Sequence, residues 1–166
     1  MTRIDLLTFM RSHHYAVQSS VSPSGSPQSA VVGIAVADDL SVVFDTLDST
    51  RKAQNLRHNS AISFVIGGLV PGDERTVQYE GVAETPRGKE LEHAQELYFA
   101  SFPEGRERRS WNGITYIRVH PTWIRYSDYN KNPVEIVEFD SERLKQVRQE
   151  HSRDISTQET NSQHEP

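Results

Sequence analysis

The chain has 166 residues, of which 35 % are hydrophobic and 25 % charged, and a formal charge of −5 from 18 basic and 23 acidic side chains. This length fits one domain or one protomer of an oligomer. The acidic balance argues against a general nucleic-acid binder, and the absence of cysteine excludes disulfides, zinc–thiolate sites, iron–sulfur clusters and a cysteine nucleophile.

Residues 4–15 read as a short amphipathic helix, with Ile4, Leu7 and Met10 or Arg11 on one face. Strands follow at 16–21 and 28–36, joined by the turn Ser22-Pro23-Ser24-Gly25-Ser26-Pro27, where Pro presets φ and Gly supplies a positive φ. Asp38-Asp39 makes the next turn and 40–45 the next strand. This is the start of an antiparallel meander. At 49–58 the period changes to helical, with Ser49 or Thr50 as cap. A strand at 61–66 and a Gly/Pro loop lead into 76–84. There Val77, Tyr79, Gly81 and Ala83 alternate with Thr76, Gln78, Glu80 and Val82, the pattern of a half-buried strand.

A second helix is expected at 87–102, with Leu91, Ala94, Leu97 and Tyr98 on one stripe. Strands at 113–119 and 122–127 are divided by Pro121, and 133–139 adds an edge strand. From Ser141 the composition turns polar: a charged helix over 141–151, then a disordered tail over 154–166. The domain therefore ends near residue 140. The expected fold is mainly β of the α+β type, with six or seven strands and two or three short helices. No apolar run approaches the roughly 20 residues of a membrane span. The first residues, Met-Thr-Arg-Ile-Asp, lack the pattern of a secretory signal, so a cytoplasmic protein is expected.

The chemistry concentrates in Phe44-Asp45-Thr46-Leu47-Asp48-Ser49-Thr50-Arg51-Lys52-Ala53-Gln54-Asn55-Leu56, where a strand ends in hydroxyl residues and enters a helix bearing an Arg-Lys pair. Free N–H groups and the dipole at a helix N-terminus attract an anion. Thr46, Ser49 and Thr50 offer hydroxyl donors. Arg51 offers a fork for phosphate oxygens, and Lys52 a point charge. The plain alternative is a capped surface helix with solvated basic residues.

This stretch, continued by Asn55-Leu56-Arg57 and Asn59, resembles the pyridoxamine 5′-phosphate oxidase-like, FMN-binding split-barrel family. Three further segments match in order: the hairpin from Val21 to Gln28, the strand Arg75-Thr76-Val77-Gln78-Tyr79-Glu80-Gly81-Val82-Ala83-Glu84, and Val119-His120-Pro121-Thr122-Trp123-Ile124-Arg125-Tyr126-Ser127-Asp128. The resemblance spans about residues 5–140 and implies an antiparallel Greek-key split β-barrel, a homodimer, and FMN in a cleft between protomers. It places Arg51 and Lys52 on the phosphate-binding pair, with Thr50 beside them. Thr46 falls at the strand end facing the ribityl chain and ring. Val31 and Val32 lie on the strand that backs the ring. Thr76 stands where relatives place a flavin-contacting Gln from the partner protomer, a role open to Gln78; Trp123 and Arg125 lie near the cofactor. The implied function is an FMN-dependent oxidoreductase acting on an unknown small molecule. The rivals are a non-catalytic flavin carrier or sensor, and the same barrel holding deazaflavin F420 or haem.

The departures bear on the substrate. Relatives that oxidise pyridoxamine phosphate carry basic residues on the strand equivalent to 29–36, and this chain has no Lys or Arg between Arg11 and Arg51. Tyr98 matches a substrate-site Tyr, but Phe102 replaces the Arg one helical turn later, and the C-terminal Arg-x-His motif is unrecognisable. A buried substrate phosphate would lack partners, which argues against the vitamin B6 reaction. Other features are expected to be structural. His13-His14 diverge on a helix without a third metal ligand. Arg106, Arg108 and Arg109 read as a solvated loop. Tyr98, Phe99, Phe102 and Trp111 read as core packing or dimer contact before a substrate wall.

Overall fold

Thr2 starts the first helix with a reciprocal cap: its hydroxyl accepts the Asp5 N–H, and the Asp5 carboxylate accepts the Thr2 N–H. The computed structural model describes residues 1–147 and Gln149. Helix α1 (Arg3–Arg11) buries Leu6, Leu7, Phe9 and Met10. It stops short of residue 15, because the Ser12 N–H turns back to Thr8 and His13 Nδ1 donates to the Phe9 carbonyl at 2.9 Å. His14 therefore lies outside the helix, and Tyr15 opens β1 (Tyr15–Val21).

The remaining elements are β2 (Pro27–Gly33), β3 (Ala35–Val36), β4 (Val42–Leu47), α2 (Arg51–His58), β5 (Ala61–Gly67), β6 (Arg75–Glu84), α3 (Lys89–Ser101), α4 (Gly105–Arg108), β7 (Ile114–Asp128) and β8 (Glu135–Phe139). Residues 141–147 are helical. Residues 148, 150 and 151 of the expected charged helix and the whole 154–166 tail lie outside the described residues. All eight strands join one antiparallel sheet in the order β2-β1-β5-β6-β7-β4-β3, with β8 on β7, curled into a split half-barrel.

Strand β7 organises this sheet. Its first half pairs with β4, from Leu47↔Ile114 to Val42↔Val119. Its second half pairs with β6 on one side and β8 on the other. Pro121 does not split it as the sequence suggests. The register shifts between Glu80 and Gly81, Gly81 facing Pro121 and Glu80 facing Trp123, so Thr122 is the extra residue of a bulge. Gly81 makes this possible: a Cβ there would come within 2.6 Å of the His120 carbonyl oxygen and of Val119 Cγ1.

The alternation in β6 holds in full, with Val77, Tyr79, Gly81 and Ala83 buried and Thr76, Gln78, Glu80 and Val82 turned outward. The barrel core joins Phe44, Phe64 and Tyr79 edge to face, at 6.0 and 5.6 Å between ring centroids. A second apolar cluster lies on the opposite face of β4, under α3. Val43 and Tyr116 there meet Ala94, Tyr98, Phe99 and Phe102. Among the described residues no helix is long and apolar enough to cross a membrane.

Candidate cofactor-binding site

The turn from β4 into α2 is held by two threonines. Thr50 is the N-cap, its oxygen accepting the Ala53 N–H while its hydroxyl donates to the Leu47 carbonyl at 2.8 Å. Its single proton is thereby committed, so the 3.0 Å contact to Thr46 runs from the Thr46 hydroxyl to the Thr50 oxygen. Both hydroxyls expected to face an anion instead fix the turn. What the turn presents outward is the exposed Ser49, the side chains of Arg51 and Lys52, and their two backbone N–H groups, which have no intrahelical acceptor. Neither the Arg51 guanidinium nor the Lys52 ammonium pairs with any described residue.

Asn55 carries the other end of the arrangement. It is 3 % exposed, and its amide donates to Ser20 Oγ at 3.0 Å and Gln28 Oε1 at 2.9 Å. These bonds tie α2 to the inner face of the β1–β2 hairpin. Between helix entrance and hairpin lies a cavity of about 330 Å³, lined by Arg51 and Lys52 on one side and by Gln18, Ser20, Gln28, Ser29 and Ala30 on the other. Gln18 is 1 % exposed, and its Oε1 has no hydrogen-bond partner. Two unpaired cations, two free N–H groups and hydroxyl and amide groups form a donor set suited to a phosphoryl group. No carboxylate or imidazole lines this cavity.

The other expected site residues lie elsewhere. Val32 is buried in the barrel core, whereas Val31 is 65 % exposed on the outer face. Thr76 and Gln78 of β6, and Trp123 and Arg125 of β7, share that outer face. Val31, Val17, Val65, Gln78 and Arg125 stand in one row across five strands. Arg125 Nε is shielded from water and has no partner. From β2 to β6 is three strand spacings, about 14 Å. One copy of the chain therefore does not bring Gln78 and Arg125 to the α2 entrance.

Of the three arginines after α3, Arg106 and Arg109 are exposed as expected, whereas Arg108 is not solvated. Arg108 Nε donates to Asp45 Oδ2 at 3.1 Å, and the Tyr98 hydroxyl donates to Asp45 Oδ1 at 2.8 Å. Burial and the bond to Asp45 push the Tyr98 phenol above its ordinary range. Arg106 pairs with Glu96. Tyr98, Phe99 and Phe102 are buried in the cluster under α3, as core packing requires, while Trp111 is 54 % exposed. Gln18, Ser20 and Asn55 build the site without belonging to a recognisable motif. Their signal was polar residues on the buried phase of a strand and of a short helix. No group of three or more His, Asp or Glu side chains among the described residues is placed to hold a metal ion.

Residues 4–128, more than half of the chain, match the family model for pyridoxamine 5′-phosphate oxidase. The chain belongs to this family. No curated protein sequence matches it significantly. Among solved structures it is similar to a heme binding protein from Mycobacterium smegmatis, with TM-score 0.74 at 15 % identity over 87 % of this chain and 60 % of that one. It also resembles Atu2129 from Agrobacterium tumefaciens, of unknown function, with TM-score 0.67 at 19 % identity over 74 % and 55 %. The chain thus spans little more than half the length of these two proteins. A pyridoxamine 5′-phosphate oxidase-related, FMN binding protein from Nostoc punctiforme gives TM-score 0.61 at 14 % identity over 80 % and 85 %. At these identities the likeness establishes the split-barrel fold and nothing finer.

Replacing Asn55 by Ala strands the Ser20 and Gln28 groups beneath α2. Urea unfolding is expected to show a loss of about 1–3 kcal/mol. An unchanged midpoint and slope would contradict the role given to this cross-link.

Proposed function

We propose that this protein is an FMN-binding flavoprotein that works as an oxidoreductase on a small molecule, and that it does so as a homodimer. The observation that carries the reading is the α2 entrance, where Arg51 and Lys52 have no partner among the described residues and stand beside a polar cavity. A terminal phosphoryl group satisfies both cations and the two free N–H groups at once. Bound FMN would supply the redox chemistry, and the protein the binding and orientation. Thr46 and Thr50 hold the turn rigid, and Ser49 adds an exposed hydroxyl.

Haem suits this cavity less well. Its iron needs an axial side chain such as His, and the cavity has none. Deazaflavin F420 offers a phosphoryl group of its own, and the mass of the extracted chromophore separates it from FMN. The same lining favours one second reading, a flavin carrier or sensor, because it contains no carboxylate or imidazole to act as acid or base. Turnover separates the two. An oxidoreductase passes electrons from reduced flavin to an organic acceptor faster than to dissolved oxygen, and a carrier does not.

Oxidation of a phosphorylated B6 vitamer is not the reaction we propose. Strand β2 has no cation, the Tyr98 hydroxyl is committed to Asp45, and Phe102 is buried against Gly33 and Tyr98. A substrate phosphate there would lose water without gaining a partner.

The homodimer is supported by the outer sheet face. Its row of Val31, Val17 and Val65 continues into Gln78 and Arg125, whose Nε is dehydrated and unpaired. A second copy stacked on this face would cover the valines and bring its own Gln78, Trp123 and Arg125 towards the first copy's cofactor site.

Combined Arg51→Ala and Lys52→Ala substitution is expected to weaken FMN by about a hundredfold or more, since each charge-assisted bond is worth about 1.5–3 kcal/mol; flavin fluorescence titration measures it. Undiminished affinity would place the phosphoryl group elsewhere. Sedimentation of Val31→Glu is expected to show monomer where the wild type shows dimer. A wild type that is monomeric while saturated with FMN would overturn the homodimer.

A further inference from the structure

A second cavity lies on the other side of the sheet, where β6 leaves it. The β6–β7 ladder ends at Glu84↔Arg118. Residues 114–117 of β7 then pair with β4 alone, and among the described residues no strand covers their other edge. The chain crosses this gap through Thr85, Pro86 and Gly88 into α3. An open cleft of about 430 Å³ lies between that crossing, the first turns of α3 and the start of β7. This volume is in the range of small-molecule pockets.

Four independent features converge on this space. Tyr116 lines it with a side chain only 2 % exposed, and its buried hydroxyl has no hydrogen-bond partner. Such a group is costly to leave unsatisfied. Gln95, 8 % exposed, also lines it, and its amide bonds to no described residue. Helix α3, thirteen residues long, has Gly88 as its N-cap with φ of 55° and no side-chain cap, so its first N–H groups lack an acceptor within the helix, and Gly88 and Leu91 of this turn line the cavity. Arg109 completes the lining without an ion pair to any described residue; the Asp45 carboxylate also faces the Tyr116 hydroxyl, with Arg108 and Arg109 set against its charge. The remaining walls include Leu91, Pro86 and Ile114, which are apolar. Glu92, an exposed residue, also lines the space.

We propose that this cavity binds a small monocarboxylate with an aromatic or branched apolar body. The carboxylate is held between Arg109, the Tyr116 hydroxyl and the start of α3, and the body packs on Leu91 and Ile114. An inorganic anion alone would leave the apolar walls uncovered, and a neutral apolar molecule would leave Tyr116 unsatisfied. The site is separate from the α2 entrance and does not depend on the flavin.

Benzoate is a suitable probe for the full chain, followed by amide NMR. Saturable shifts are expected at Leu91, Gln95 and Thr115. Tyr116→Phe, which keeps the ring and its packing, and Arg109→Gln should each weaken benzoate by about tenfold. Neutral benzamide should bind more weakly than benzoate by a similar factor. The Arg51→Ala, Lys52→Ala variant should bind benzoate as the wild type does. No saturable shift, equal affinity in the Tyr116 and Arg109 variants, or loss of binding in the α2 variant would each overturn the proposal.

Discussion

One constraint shapes the candidate site: two cations are kept at a helix entrance with nothing among the described residues to neutralise them. Thr50 and Thr46 close the β4–α2 turn with each other and with the Leu47 carbonyl, so the entrance is stiff. Asn55 anchors the same helix to the inner face of the β1–β2 hairpin. Arg51 and Lys52 then project from a rigid frame towards Gln18, Ser20 and Gln28. A free side chain loses conformational entropy when it grips a ligand, and a fixed frame reduces the number of groups that must be ordered on binding.

The charges elsewhere are managed differently. Asp45 receives both Arg108 and Tyr98, which fastens α3 and α4 to β4. Asp39 accepts the Ser41 N–H and hydroxyl and pairs with Arg118. Burial favours its neutral form, but these donors outweigh burial and hold it below the ordinary carboxylate range. The cations of α2, Arg109 and the dehydrated Arg125 Nε, by contrast, have no such partner among the described residues.

Much of this was legible from residue types. The β6 alternation is local, because a strand with one buried face repeats every two residues. The cap at Thr50 is local as well, since a hydroxyl at that position answers the free N–H groups of the turn that follows. The roles of individual hydroxyls were not legible: whether Thr50 donates to a ligand or to Leu47 depends on where one proton points. Pro121 read as a break because a missing N–H usually ends a strand. The bulge that absorbs it needs Gly81, forty residues earlier in the chain, to allow the close approach. Arg108 read as solvated because its partner Asp45 is 63 residues away. Gln18 and Ser20 carry little local signal, because polar residues on a buried strand phase mark a site only where a helix entrance lies above them.

The phosphoryl group is the part of the cofactor on which the account depends, and comparing FMN with riboflavin isolates it, since the two share the same ring and ribityl chain. Calorimetric titration of the wild-type protein with each is the most direct test. The account predicts FMN bound at least about a hundredfold more tightly than riboflavin. Equal affinity for the two would mean that the α2 entrance does not hold the phosphoryl group, and would contradict it.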